Sequence, residues 1–217
     1  MNPHIAAVAD PIFLKVLALM ERVDKDDVAS PDWERQSLEN SFREADSALA
    51  EGSGWNLAKY ALASWVDDLL IASPWKGRDW WESNSLEFAF FKSRDRATKF
   101  FTKAKEAAEL TQRDALEVFY LCVVLGFRGL YDLSERELLA SQLDLPMSIA
   151  AWRKNTAAAL QLRQGRPPIR DAPRVATGAP PLESRYLAAG SAVVTVILSV
   201  VLATLAWLSA ALASSAA

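Results

Sequence analysis

Two adjacent aspartates, Asp67 and Asp68, are the residues of this chain whose type and spacing come nearest to catalytic chemistry. They lie in the otherwise apolar run WVDDLLIASPW. Paired carboxylates can hold magnesium against a diphosphate, as DDxxD helices do, or serve as the acid and base of glycoside hydrolysis. The DDxxD pattern fails at its fifth position, which is Ile71, and no second acidic cluster of that type follows. Since nothing in the sequence supports a glycosidase-type pair either, the pattern argues against an enzyme.

The element that must position this pair is a helix, predicted over residues 55–73. Its apolar residues follow i, i+3, i+4 and i+7 spacing and define one face, formed by Ala58, Ala61, Leu62, Trp65, Val66, Leu69 and Leu70. With 3.6 residues per turn, Asp67 points away from the centre of that face and Asp68 lies at its edge. The spacing therefore predicts that neither carboxylate is buried. The simplest interpretation is a pair of solvated side chains.

A single histidine and a single cysteine limit other chemistry. One cysteine, Cys122, cannot form an internal disulfide or a zinc site built on several thiolates, and among apolar neighbours it is interpreted as a small core residue. Any histidine-dependent relay or metal site would rely on His4, close to a terminus that is expected to fray. The chain also has no glycine-rich phosphate-binding loop. We therefore expect no enzymatic activity, no metal and no cofactor.

Charge is unevenly distributed along the chain. Residues 1–149 carry 17 basic and 25 acidic side chains, whereas residues 150–185 carry seven basic and two acidic ones. Phosphate backbones would repel such an acidic body, which argues against nucleic acid as a partner. The basic stretch needs a different explanation.

The C-terminal run supplies that explanation. No charged residue occurs from Tyr186 to Ala217, and the run exceeds the roughly 20 apolar residues that cross a bilayer. We predict a transmembrane helix over 186–213, followed by a short tail, 214–217. A buried soluble helix is the alternative, but without a polar stripe it would need protein on every side.

The residues before the run predict its orientation. Five arginines lie between 163 and 185 and none follows the run, so the positive-inside rule places the N-terminal body in the cytoplasm. The same arginines would attract anionic headgroups, which makes the lipid bilayer an expected partner. Five of the ten prolines fall within 165–185, which predicts an extended juxtamembrane linker.

The body, residues 1–164, is predicted to be all-α. No window long enough for a sheet alternates with period two. Start signals are two proline-marked caps and two capping boxes, at Asp10-Pro11, Ser30-Pro31, Thr111–Asp114 and Ser134–Glu137. About eight helices are predicted, over 10–23, 31–50, 55–73, 85–92, 95–109, 112–126, 134–144 and 147–164.

Several motifs in this order resemble the DotU/TssL (IcmH) family, the short inner-membrane subunits of type VI and type IVb secretion systems. The resemblance covers roughly residues 10–210. It differs at Arg128, where the family commonly has an acidic residue. The motifs are the acidic pair with its Pro-Trp helix end, the following Trp80, the KFF of residues 99–101, and FYLCVVLGFRGLY at 119–131, whose GF-x-G-x-Y turn is Gly126, Phe127, Gly129 and Tyr131.

The resemblance implies a non-enzymatic scaffold in the bacterial inner membrane, with its C-terminus in the periplasm. Its body would be hook-shaped, formed of two small helical bundles and anchored as a homodimer. Implied partners are an IcmF/TssM-like membrane protein and the baseplate subunits TssK and TssE. Asp67 and Asp68 then become candidates for the docking surface. A tail-anchored helical adaptor of another membrane assembly, type IVb or unrelated, remains the alternative.

The remaining motif residues have structural interpretations. Gly126 and Gly129 are predicted to end a helix in a tight turn. Tyr131 is expected to pack with its hydroxyl hydrogen-bonded. Trp75, Trp80 and Trp81 are predicted to pack in the core or against loops, with an interface as the alternative.

Overall fold

Helices form the regular structure throughout the part of the chain that the structure describes, which confirms the all-α class. The structure is a computed structural model that describes residues 1–28, 30–49 and 53–164, and also Thr195, Leu198, Ser199, Leu202 and Thr204. The chain divides into two units, Met1–Pro168 and Ile169–Ala217.

The helices of the first unit correspond closely to the predicted ones. Each of the eight predicted segments overlaps an observed helix, and one short helix between residues 73 and 85 was not predicted. The bounds are α1 Pro3–Asp24, α2 Pro31–Ala48, α3 Ser53–Ala72, α4 Arg78–Ser83, α5 Leu86–Phe91, α6 Arg96–Glu109, α7 Asp114–Val124, a 3-10 turn at Gly129–Asp132, α8 Arg136–Gln142 and α9 Ile149–Gln164.

Helix starts are where the sequence predictions were least accurate. α1 begins at Pro3, because Asn2 is its N-cap and accepts a hydrogen bond from the His4 N–H at 3.0 Å. The predicted cap at Asp10-Pro11 was therefore wrong, and Pro11 lies inside the helix. Neither predicted capping box forms, since α7 begins at Asp114 and α8 at Arg136 without a side-chain cap. The start of α2 at Pro31 is confirmed.

The core of the first unit is built around α3, which contacts α1, α4, α5, α6 and α7. Its predicted apolar face is confirmed, with Trp65 and Val66 fully buried and only Leu69 partly exposed. Phenylalanine side chains of α6 and of the turn after α7 extend this core, where the ring centroids of the stacked Phe100 and Phe127 are 3.7 Å apart. The described helices of the first unit share one core. The expected division of the body into two small bundles stays a prediction.

The predicted membrane helix, 186–213, lies almost entirely outside the described residues. The five that are described within it are helical and exposed. Among the described residues, the helix long and apolar enough to cross a membrane is instead α1, so the structure gives the C-terminal anchor no support. α1 also belongs to the core of the first unit, where Ile12 and Val16 are fully buried and Phe13 packs 5.0 Å from the ring of Trp65.

Candidate functional site

Asp67 lies inside the protein, fully shielded from solvent. Its Oδ1 accepts hydrogen bonds from the indole N–H of Trp81 and the backbone N–H of Leu86, both at 2.9 Å. Its Oδ2 accepts the backbone N–H of Glu87 at 2.7 Å. The prediction that this carboxylate is solvated was therefore wrong. Three donors compensate in part for the water that Asp67 loses on burial.

Asp67 is buried because α3 has a second buried face. Tyr60, Ser64 and Asp67 follow one another at i, i+4 and i+7, and all three are fully buried. Helical spacing identifies only the most apolar face of α3, so this second face, which carries polar atoms, was predicted to lie in solvent. In the fold α4 and α5 cover it, because Trp81 and Leu86 contribute fully buried side chains as well as donors.

Asp68 occupies a different environment, with 18% of its side chain exposed. Its Oδ2 accepts the backbone N–H of Arg128 at 3.0 Å and, more weakly, that of Gly129 at 3.4 Å. Its Oδ1 lies 3.6 Å from Nε of Arg96, at the start of α6. Asp68 therefore joins α3 to the turn after α7, and only its edge position was predicted correctly.

Glu87, which the sequence analysis did not single out, completes a cluster of three carboxylates. It is fully buried, accepts the hydroxyl of Tyr60 at 2.7 Å, and accepts the backbone N–H of Arg96 at 3.2 Å. Each carboxylate thus accepts N–H groups at the start of a helix: Asp67 for α5, Glu87 for α6 and Asp68 for the 3-10 turn. Negative charge is favourable at these positions because helix N-termini carry unpaired N–H groups and partial positive charge. The arrangement fixes how three elements meet α3.

The sequence held some signal for this cluster. α3 contains only three charged residues, Lys59 and the aspartate pair, and a helix with so narrow a polar stripe must be covered on most sides. Glu87 gave no such signal, because its partners Tyr60 and Arg96 are 27 and nine residues away in the chain. Among the described residues, no group of three or more His, Cys, Asp or Glu side chains is arranged to hold a metal ion.

Gly126 follows the end of α7, as predicted, whereas Gly129 begins the 3-10 turn instead of ending a helix. Gly126 has φ +113° and Gly129 has φ +52°, both in the region that favours glycine. The N–H of Phe127 donates to the Cys122 carbonyl at 2.9 Å, and that of Gly126 donates to the Val123 carbonyl at 3.3 Å, which ends α7 in a Schellman motif.

The aromatic residues around the turn and the cluster also bear out their interpretations. The Tyr131 hydroxyl donates to the Pro146 carbonyl at 2.7 Å, and burial raises its pKa to about 12. Trp81 lies in the core against the half-buried rings of Trp75 and Trp80. Cys122 is fully buried, as expected of a core residue, and burial raises the pKa of its thiol.

Burial also changes the ionisation of the pair. Desolvation raises the pKa of Asp67 from 3.8 to about 6, because it disfavours the charged form more than the three N–H donors favour it. Desolvation raises the pKa of Asp68 as well, against the opposing effect of the Arg128 N–H and the Arg96 guanidinium.

We predict a pH dependence of stability from Asp67. Folded Asp67 keeps its proton to higher pH than an unfolded aspartate, so its contribution is fully present below its ordinary pKa of 3.8 and is lost as the pH rises to about 6. At roughly 1.4 kcal/mol per pKa unit, the loss is on the order of 3 kcal/mol.

Urea denaturation of the protein and of its Asp67→Asn variant, which cannot titrate there, isolates this contribution from other carboxylates. The unfolding free energy of the unmodified protein minus that of the variant should fall between about pH 4 and pH 6. A difference that rises over this interval would show that the N–H donors outweigh desolvation.

Taken together, the fold and the site define, over the described residues, an all-helical protein in which buried carboxylates hold helices in place. The family model described as "Type VI secretion system protein DotU" matches residues 4–212. The chain therefore belongs to the DotU family of type VI secretion system proteins, which confirms the resemblance found in its motifs. This is a family of structural secretion-system subunits rather than of enzymes.

A solved structure supports the fold. The cytoplasmic domain of TssL from Acinetobacter baumannii is similar to this chain with a TM-score of 0.52 and 22% sequence identity. The similarity covers 72% of this chain and 99% of that domain. No curated protein matches the chain significantly.

Proposed function

We propose that this protein is a non-enzymatic subunit of a type VI secretion membrane complex, which holds a cytoplasmic helical body at the bacterial inner membrane. The observation that carries the proposal is the extent of the family match, which continues through the uncharged C-terminal run as far as residue 212. The similar structure is described as a cytoplasmic domain and covers 72% of the chain, which fits a cytoplasmic body with a separate anchor.

The proposed anchor is the run 186–213, with residues 214–217 in the periplasm. Its length and lack of charge meet the requirement for a bilayer span, and the arginines before it favour a cytoplasmic body. α1 meets the same length and composition requirement. Six of its residues are buried in the core, however, so insertion of α1 would remove them from their packing partners.

Truncation after Arg185 separates the two candidate anchors. We expect the full chain to stay with bacterial membranes through a carbonate wash and the truncated chain, which keeps α1, to appear in the soluble fraction. Immunoblotting of both fractions measures the result. A truncated chain that stays in the membrane would assign anchoring to α1 and contradict the proposed anchor.

The proposed partners are an IcmF/TssM-like membrane protein and the baseplate subunits TssK and TssE, with the subunit itself forming a homodimer. Affinity purification of the tagged full chain from a detergent extract tests this. Recovery of an IcmF-like protein or a baseplate subunit is expected, and recovery of neither would count against the proposal.

We also propose that Asp67 and Asp68 serve partner binding, each in its own way. Asp67 has no exposed surface, so its contribution is to hold α5 in position through the Leu86 and Glu87 N–H groups. Asp68 retains a partly exposed side chain next to Arg96, where a partner could reach it.

A further inference from the structure

The segment from α5 into α6 carries an excess of positive charge that the rest of residues 1–149 lacks. Residues 88–105 contain six basic residues and one acidic residue, Asp95. The remainder of residues 1–149 contains 11 basic and 24 acidic residues. A local excess of positive charge on an acidic body creates a field that attracts anionic groups to this surface.

An exposed aromatic ring lies within this positive segment. Phe88 is 42% exposed, with the Lys92 ammonium 5.5 Å and the Arg94 guanidinium 4.8 Å from its ring centroid. Farther along, Lys99 lies 5.9 Å from the ring centroid of Tyr60, which in turn packs 5.0 Å from the ring of Phe91. We call Phe88, Lys92, Arg94 and Lys99 the cationic surface.

The described residues do not neutralise the charges of this surface. Among the described residues, no carboxylate forms an ion pair with Lys92, Arg94 or Lys99. Within the described part of the chain, Lys92 donates to the Ala89 carbonyl at 3.2 Å and Arg94 donates to the Ser83 carbonyl at 3.4 Å. Most of the donors of the Arg94 fork therefore remain available, and their geometry suits a carboxylate.

The buried carboxylates hold this surface in place. Asp67 binds the first two N–H groups of α5, which carries Phe88, and Glu87 binds the first N–H of α6, which carries Lys99. Aromatic residues and arginine are enriched at protein interfaces relative to the rest of the surface. Ordering these groups in advance reduces the entropy lost on binding.

We infer that the cationic surface binds an acidic segment of a partner protein, whose carboxylates pair with Lys92 and Arg94 while an apolar residue packs on Phe88. This inference rests on the proposed function, because it identifies the chemistry of a cytoplasmic partner. A membrane is a less suitable occupant. Lys92 and Arg94 fold against the Phe88 ring, whereas an aromatic anchor in a bilayer must project beyond its cations.

Photocrosslinking in cells tests the inference on the full chain. Phe88 is replaced by p-benzoylphenylalanine, and the crosslinked peptide is identified by mass spectrometry. Trp33, a 63% exposed aromatic residue beside Asp32, is replaced in the same way as a matched control. We expect the position 88 probe to crosslink to a protein segment rich in Asp and Glu, and the position 33 probe not to. A crosslink to lipid, to a segment without acidic residues, or to nothing would overturn the inference.

Charge reversal provides the second measurement. Lys92→Glu combined with Arg94→Glu should reduce the crosslink yield about tenfold, because like charges would now face each other. Lys76→Glu is the control, since it changes charge at an 81% exposed lysine outside the cationic surface and should leave the yield unchanged. If both variants lower the crosslink yield equally, the loss is explained by the change in net charge, and the inference is overturned.

Secretion assays in the same strains separate this inference from the proposed function. If deletion of the chain abolishes type VI secretion while the Lys92→Glu, Arg94→Glu variant secretes normally, the cationic surface is refuted and the proposed function stands. If deletion has no effect, the proposed function itself fails.

Discussion

Replacement of Asp67 by lysine is expected to abolish stable folding of the helical body. The change removes the acceptor for the Trp81, Leu86 and Glu87 N–H groups and puts a cation in a fully buried position. Each buried donor left without a partner costs about 1–3 kcal/mol, and an unpaired buried charge costs more. The sum approaches the total stability of an ordinary domain, about 5–15 kcal/mol. Circular dichroism during chemical denaturation measures the effect.

Two variants make this result interpretable. Asp79→Lys changes the same charge at a nearby exposed position in α4 and should alter the unfolding free energy by about 0.5 kcal/mol or less. Asp67→Asn keeps one acceptor oxygen for the N–H groups and should fall between the two. If Asp67→Lys is as stable as Asp79→Lys, the Asp67 side chain is not buried as the structure indicates.

Because Asp67→Lys is expected to unfold the helical body, partner binding by Asp67 and Asp68 must be tested with a different variant. Loss of binding in Asp67→Lys would report unfolding rather than a lost contact. Asp68→Asn is the better probe, because Asp68 is partly exposed and an amide oxygen can still accept the Arg128 N–H. Its binding should be measured only after its stability has been shown to match that of the unmodified protein.

Replacement of Gly129 by alanine should lower the free energy of unfolding by about 2–4 kcal/mol, the combined effect of a left-handed backbone and overpacking. The added Cβ would lie 2.7 Å from Cε1 of Phe127 and 2.9 Å from the Ala97 carbonyl oxygen. Neither neighbour can move easily, since Phe127 is fully buried and stacked on Phe100 and the other contact is backbone. The φ of +52° adds backbone strain.

Gly54→Ala is the matched control. It lies in α3, and nothing is within 4 Å of the position its Cβ would take. Alanine is the better helix former, so this variant should be unchanged or more stable by up to about 1 kcal/mol. Thermal denaturation of both variants gives the comparison, and equal melting temperatures would mean that the glycine turn is not constrained as the structure indicates.

Much of the fold could be predicted from local signals. The helices longer than ten residues were predicted because their apolar residues recur at helical spacing, as on the buried face of α3. α4 was missed, although α5 has the same length, because its two apolar residues, Trp80 and Trp81, are adjacent and show no helical spacing. The start of α1 was misplaced because Pro11 resembles a start signal, although the cap is formed by Asn2.

Apart from Glu87, the residues of the candidate site were predicted from the sequence, but their burial and hydrogen-bond partners were not. The acidic pair and the glycine turn were both singled out, yet their connection through Asp68 and the Arg128 N–H joins residues 60 positions apart. Rules based on helix or strand spacing relate only residues that are close together in the chain, so they do not predict this contact. Glu87 was overlooked for the same reason.

The sequence alone determined the helical class, the apolar face of α3, the glycine turn and the family, because each depends on residues close together in the chain or on their order. Only the tertiary structure decided that Asp67 is buried. Burial depends on which distant segments cover a helix face, and here the Trp81 side chain and the start of α5 both cover Asp67 and supply the donors that make its burial tolerable.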